Sequence, residues 1–526
     1  MTRRPFLAAM LLAVSVGWAA PAPVAAQGQG WVAEDEVVYH IFVRSFRDSD
    51  GDQVGDLRGI QQGLDYLQRL GITSLLLSPI MPSPFYHNYF ASSFEGVDST
   101  LGTEADLVAL CRAVHARGMR IYLDQELQYV TTEHEWYQEA VGHPGSRFSG
   151  FLPFHGPGNT EPESAVFGIS VFPMYNGQRV GLATVNLPDG GVKAYFTRLF
   201  SRMLDPDGDG RFDDGLDGFR IDHMMDDLDY KGLLPDLFAR FWVPVLGAVR
   251  TVNPSMRVIA EQADWGYGED FLRHAGADMV FAFPIRGAAA SLQADALAEA
   301  IRGTVERTPA GKGQLLFVEN HDTDRFASVV GSDRRKERIG AALTIFLKGT
   351  PSIYYGQELG MRGRQNRTWG TDANDIPVRE AMEWSRTGEG PGMATWYRGT
   401  DPWWTGQYAR ADDGVSVEEE EVDSTSLLAF YRRALALRRD RPELRHGAET
   451  VVAGGPAGVL QVLRSDGTAA SLLLINLNPT EATVVLDRAA LPGALTRGRL
   501  HELLTGRPEA GGSVALPPFG VKLVGR

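Results

Sequence analysis

From Glu36 onward, short apolar runs alternate with amphipathic helical stretches, and few folds accommodate that alternation. Residues 37–43 read as a buried strand. Residues 59–70 read as a helix with Ile60, Leu64, Leu67 and Leu70 on one face, and residues 71–79 as the next strand. Residues 107–117 give a second helix and 118–124 a third strand. Strands separated by helices are joined by crossovers rather than hairpins, so they pair in parallel. After a break the pattern resumes, with strands at 216–222, 256–261, 279–283, 315–320 and 352–355. Eight such units over about 400 residues predict an α/β chain folded as a (β/α)8 TIM barrel, residues 31–124 and 190–445.

The break, residues 125–189, is rich in Gly, Pro, Phe and Tyr and has no helical period. It is too long for a plain loop and reads as an irregular subdomain inserted after strand three. A second irregular stretch, 384–426, holds Trp396, Trp403, Trp404 and the acid run 418–421. Its tryptophans fit either local packing or a stacking platform for sugar rings. Residues 427–439 read as a closing helix. The tail, 446–526, shifts to short β-rich runs split by Gly and Pro, which predicts a small all-β C-terminal sandwich domain.

The start of the chain is of another kind. Arg3 and Arg4 precede an apolar run, residues 6–20, and Val24-Ala25-Ala26 is a small-residue cleavage pattern. Residues 1–26 therefore read as a secretory signal peptide cut near Ala26, which places the mature protein in the periplasm or the medium. Removing it takes away two arginines, so a net charge of −15 becomes −17 (−15 − 2). That balance argues against nucleic acid and anionic membranes as partners. A single cysteine, Cys111, excludes an internal disulfide. An exported chain without one leans on core and metal for stability.

In a barrel, polar residues at the C-terminal strand ends point into one bowl. Here those residues are Asp124 on strand three, Arg220 and Asp222 on strand four, Glu261 on strand five, and His321 and Asp322 on strand seven. Arg220 and Asp222, two apart on a strand, share a face, and a fixed cation keeps a neighbouring carboxylate ionised and oriented. Asp222 so held suits a nucleophile at a sugar carbon. Glu261, behind Val258-Ile259-Ala260 and ahead of Trp265, is set among apolar groups and negative charge, as a proton donor requires. Paired carboxyls of this kind are what a retaining glycosidase uses. Asp322 would grip sugar hydroxyls and favour the oxocarbenium-like transition state, with His321 donating a hydrogen bond to the same ring.

Five motifs in order then resemble the α-amylase superfamily, family 13 of the glycoside hydrolases. Gly218-Phe219-Arg220-Ile221-Asp222 resembles its nucleophile motif, and Ala260-Glu261 its acid/base strand. Phe317-Val318-Glu319-Asn320-His321-Asp322 resembles the strand with the third acid. Tyr86-His87-Asn88-Tyr89 resembles the segment whose second tyrosine stacks under the cleaved sugar, and Tyr354-Tyr355-Gly356-Gln357-Glu358 the eighth-strand signature. The resemblance implies an exported α-glucan hydrolase working by double displacement, with Asp222, Glu261 and Asp322 catalytic. Tyr89, Asp124, Arg220, His321 and His87 would bind a starch-like α-glucan or a maltooligosaccharide. An α-glucosidase or transglycosylase of the same superfamily is the near alternative. A non-catalytic amylase-like sugar-binding protein is the remote one, and the intact acids count against it.

The chain departs from the family at specific places. Gln128 stands where an Asn commonly helps to bind calcium, and Tyr129 where a sugar-binding His is usual. Met225 and Asp226 replace a Lys-His pair after the nucleophile. Two acidic loops offer oxygens to a hard cation such as Ca²⁺. The first, ahead of residue 57, carries Asp48, Asp50, Asp52, the backbone carbonyl of Val54, and Asp56, and resembles a calcium loop of neopullulanase- and oligoglucosidase-like relatives. The second carries Asp205, Asp207, Asp209 and Asp213 and reads equally as a cation loop or a solvated turn.

Overall fold

A computed structural model of the chain describes residues 31–400, 408–487, 491–496, 498–509 and 512–526. The leader read at 1–26, with Trp403 and Trp404, lies outside the described residues. Eight parallel strands close a barrel: β1 (Val38–Ile41), β2 (Ser74–Leu77), β3 (Arg120–Gln125), β4 (Gly218–Met224), β5 (Arg257–Gln262), β6 (Met279–Phe281), β7 (Gly313–Leu316) and β8 (Thr350–Tyr354). Neighbours around the ring run in chain order, and β1 closes it by pairing with both β2 and β8, Val38 lying opposite Ser74 and Ser352. The helix α1 (Leu57–Leu70) buries Ile60, Leu64, Leu67 and Leu70. Asp56 caps its first turn through Gly59 N–H, and Gly71, at φ 103°, ends it in the left-handed region that glycine enters freely. A reciprocal Thr103–Asp106 capping box starts α2 (Glu104–His115). Among the described residues no helix is long and apolar enough to cross a membrane.

Two departures from the expected strand ends bear on the bowl. β7 stops at Leu316 rather than at residue 320. Asn320 N–H bonds Thr323 Oγ1, Asp322 N–H bonds Asn320 Oδ1, and Glu319 binds Arg325, so the acid-bearing stretch folds into its own turn. Between β4 and β5 the register slips: Ala260 pairs with Ile221, but Gln262 pairs with Met224. Two residues on β4 thus oppose one on β5, a bulge that re-aims Asp222 and Glu261 at the mouth. His223, inside it, has φ 45°.

The region after β3 holds a three-stranded sheet, Tyr129–Thr131, Arg179–Thr184 and Val171–Pro173 in spatial order, and a short ribbon, Phe154–His155 with Glu161–Pro162. Trp136, fully buried, packs edge-on against Phe151 and Tyr195 and ties the region to α3 (Gly190–Leu204). At the C-terminal end, β9 (Ala448–Val451), β10 (Val459–Ser465), β11 (Ala470–Asn476), β16 (Val521–Gly525), β13 (His501–Glu502) and β14 (Arg507–Pro508) form one sheet. β12 (Ala482–Val485) and β15 (Ser513–Leu516) form a second. Leu472, Leu474, Val484, Val514 and Leu516 fill the space between them. The other face of the large sheet, through Val462, Leu473, Ile475 and Leu523, joins the core of the barrel. The buried Arg464 donates across that junction to Phe346 O at 2.8 Å, at the end of α4 (Arg334–Phe346).

Candidate active site

Arg220 is fully buried within β4, and three carboxylates converge on it. Its Nη1 donates to Asp124 Oδ1 at 2.7 Å and to Asp222 Oδ1, and its Nη2 donates to Glu261 Oε2 at 2.8 Å. Glu261 also accepts His223 N–H at 3.1 Å. From Asp124 the network runs on. Tyr89 Oη donates to Asp124 Oδ2 at 2.8 Å and lies 2.6 Å from His321 Nε2, which is 2.9 Å from Asp322 Oδ2. The Tyr89 and His321 rings stack at 5.3 Å with 14° between planes. One hydrogen-bonded path therefore joins Asp222, Glu261, Asp124 and Asp322, with the Asp222 and Asp322 carboxylates partly open to solvent. His87 lies off this path. Its Nδ1 accepts Tyr89 N–H at 3.1 Å, its ring stacks on Phe85, and burial holds it neutral, so it braces the tyrosine.

The two outer acids are pushed in opposite directions. Burial raises Asp222 well above the usual carboxylate range; Arg220 pulls it down, while Glu261, Asp124 and Glu126 add to the rise. For Asp322 burial also opposes ionisation, but His321, Arg379 and Arg220 outweigh it and hold the group well below its ordinary value. Arg220 binds Asp222 as the sequence led us to expect, but burial and the neighbouring carboxylates work against its ionisation. One guanidinium divided among three buried carboxylates cannot neutralise each of them.

Three further residues belong to the constellation and carry no motif signal. Arg379, buried, reaches Asp322 Oδ1 through Nη2 at 3.2 Å, His321 O through Nε at 3.0 Å, and Tyr86 Oη through Nη1 at 3.0 Å. Trp396 stacks on Tyr86 at 4.7 Å, so that tryptophan packs beside the site. Lys231 ties the loop after β4 to the region after β3 through Glu163 Oε1 at 2.7 Å and Ser164 O at 2.8 Å. The altered positions also have settled partners. Gln128 Nε2 donates to Asp222 O at 2.6 Å and His223 O at 2.8 Å, and Tyr129 Oη donates to Asp229 Oδ1 at 2.6 Å.

Of the first acidic loop, Asp48, Asp50 and Asp56 bring carboxylate oxygens within 4.8 Å of one another. Asp48 and Asp56 are buried, and backbone N–H groups of Ser49, Asp50, Gly51, Gln53 and Gly59 point at them in place of a lysine or arginine. Buried carboxylates without a cationic side chain fit a bound cation. Asp52 falls outside the group because its Oδ1 turns to Val54 N–H at 2.7 Å. In the second loop Asp205, Asp207 and Asp209 converge in the same way, and Asp205 Oδ1 is buried without a partner. Asp213 does not join them; it lies 3.6 Å from Arg211.

Residues 40–236 and 274–447 match the alpha amylase catalytic domain, so the chain belongs to the α-amylase family of glycoside hydrolases. Alpha-amylase 3 of Dictyoglomus thermophilum is 27% identical over 419 residues, covering 77% of each chain. The 4-alpha-glucanotransferase of Thermotoga maritima is 28% identical over 415 residues, covering 74% of this chain and 84% of its own. The α-amylase of H. orenii shares the fold, with a TM-score of 0.75 at 23% identity over 93% of this chain and 99% of its own. The protein is accordingly a glucan-acting enzyme of glycoside hydrolase or transglycosylase type.

Proposed function

We propose that the protein is an exported, retaining α-glucan hydrolase acting on starch-like polysaccharides or maltooligosaccharides. The observation that carries the reading is the shared guanidinium: Asp222 and Glu261 both bind Arg220. An Asp222 oxygen attacks the anomeric carbon while Glu261 gives its proton to the departing glycosidic oxygen. A covalent glycosyl-Asp222 ester results, and the Glu261 carboxylate remains. Glu261 then takes a proton from water as the water oxygen attacks the same carbon, which frees Asp222 and restores the acid. Asp322, kept ionised by His321 and Arg379, accepts hydrogen bonds from sugar hydroxyls and favours the positively charged transition state. Where an acceptor sugar replaces water, the same intermediate yields transfer, and the likeness to a 4-alpha-glucanotransferase keeps that outcome as the second reading.

Asp222→Ala and Glu261→Gln are each expected to lower kcat on soluble starch by roughly 10²–10⁴-fold with the fold intact. Activity within tenfold of the parent in either variant defeats the assignment. Calcium is proposed for the loop of Asp48, Asp50 and Asp56, where hard carboxylate oxygens suit it. Export with cleavage near Ala26 belongs to the same proposal. The intact mass of protein recovered outside the cytoplasm is expected to begin at residue 27, and retention of residues 1–26 counts against it.

A further inference from the structure

β1 carries a histidine, His40, buried between Tyr354 of β8 and His321. Barrel interiors are mostly filled by branched apolar side chains, and a polar ring taken out of water needs partners. His40 Nε2 is buried and has no hydrogen-bond partner among the described residues. The same is true of His321 Nδ1. The two rings meet edge to face, with centroids 5.1 Å apart and planes at 81°. Two orphaned nitrogens in touching rings call for one explanation.

Tyr89 has one hydroxyl hydrogen, and it goes to Asp124 Oδ2. Tyr89 Oη therefore accepts from His321, whose Nε2 carries a hydrogen facing Tyr89 Oη at 2.6 Å and Asp322 Oδ2 at 2.9 Å. His321 is also the group that does most to keep Asp322 ionised, which calls for a positive charge on the ring. An imidazolium has hydrogens on both nitrogens, so Nδ1–H is a buried donor in need of an acceptor. Burial, with His321, Arg220 and Arg325 close by, holds His40 well below the ordinary histidine range, while Asp322 pulls the other way. His40 is thus neutral, and a neutral imidazole keeps one nitrogen bare. Tyr354, facing His40 from β8, does not compete for it, because its hydroxyl donates to Val378 O at 3.3 Å.

We propose that His40 is a positioning residue of the active site: its Nε2 accepts the Nδ1 hydrogen of His321 and keeps that ring cationic and turned toward Asp322. A small rotation of either ring converts the edge contact into the bond. Hydrogen bonds of this kind are commonly long in a free enzyme and tighten once substrate is held. The site has a use for the extra charge. Arg220 serves three carboxylates, and Arg379 is divided between Asp322 and Asp375. His40 acts through His321, which in turn supports Asp322 as the positive transition state forms.

The inference rests on the catalytic reading above, and its test separates the two. His40→Phe keeps the aromatic contact and removes the nitrogens. It is expected to lower kcat on soluble starch roughly fivefold to fiftyfold, with KM within about twofold of the parent. Without its acceptor, His321 gives up the Nδ1 hydrogen at lower pH. The alkaline limb of kcat/KM is therefore expected to move down by about half a pH unit or more. His40→Gln, whose amide oxygen accepts a hydrogen bond, is expected to restore the limb and bring kcat within about threefold of the parent. A merely structural role would lower Tm in both variants and leave the limb in place. Nitrogen NMR of the parent, with labelled histidine, needs no variant and holds even where His40→Phe does not fold. There His321 Nδ1 is expected to carry a proton at the pH of maximal activity. A bare Nδ1, or a His40→Phe enzyme with the parent's kcat and pH profile, overturns the proposal. Absence of turnover on any α-glucan by the parent enzyme overturns the catalytic reading instead.

Discussion

Asp222 and Asp322 open into one bowl, yet their surroundings drive them apart. Asp322 is reached by His321 and by Arg379, which it shares with Asp375, whereas Asp222 is one of three carboxylates, with Asp124 and Glu261, on the single cation Arg220. With Asp222 as the proposed nucleophile, the acid limb of activity belongs to it. A nucleophile works only when ionised, and a group raised above its usual value near 4 takes up its proton at higher pH. Activity of the free enzyme is expected to fall, as pH is lowered, with a midpoint clearly above pH 4, read as kcat/KM against pH. A midpoint at or below 4 would mean that Arg220 outweighs burial. The residues named by motif were legible because each chemistry fixes its own residue type near a strand end. Arg379 was not, although it holds Asp322, because the two stand 57 positions apart, with α4 and β8 between them, and no motif spacing links them. Gln128 and Tyr129 were legible as departures, while their partners emerge only in three dimensions.

At the scale of elements, the loop ahead of α1 does two jobs with one carboxylate. Asp56 caps the helix through Gly59 N–H, its other oxygen accepts Ser49 N–H, and its carboxylate lies within the cluster with Asp48 and Asp50. Binding of a cation there stabilises the folded state by mass action, since the unfolded chain has no such cluster. Removing calcium with a chelator is expected to lower Tm by several degrees, and Asp48→Asn to abolish most of that difference. A Tm that ignores both chelator and added Ca²⁺ denies the loop a metal. The periodicity of strands and helices was readable because it repeats. The end of β7 was not, since Thr323 and Asn320 bond their own backbone, nor was the β4–β5 bulge, where Glu261 accepts His223 N–H from the neighbouring strand.

Across the whole molecule, the C-terminal strands were legible as a β-rich region by composition, but its depth of attachment was not. Apolar side chains of β10, β11 and β16 lie in the same core as the barrel, and Arg464 and Arg438 donate to carbonyls around residues 345–349. Elements that share a core unfold together. Calorimetry of the enzyme is expected to show one transition; two well-separated peaks would mean that the sheets melt independently of the barrel.

Gln128 pins the region after β3 to β4 by donating one amide nitrogen to the carbonyls of Asp222 and His223. A carboxamide neither titrates nor exchanges with the surrounding fluid. With a cation in the loop ahead of α1, as proposed, scarcity of divalent ions would act on that loop and leave this internal fastener untouched.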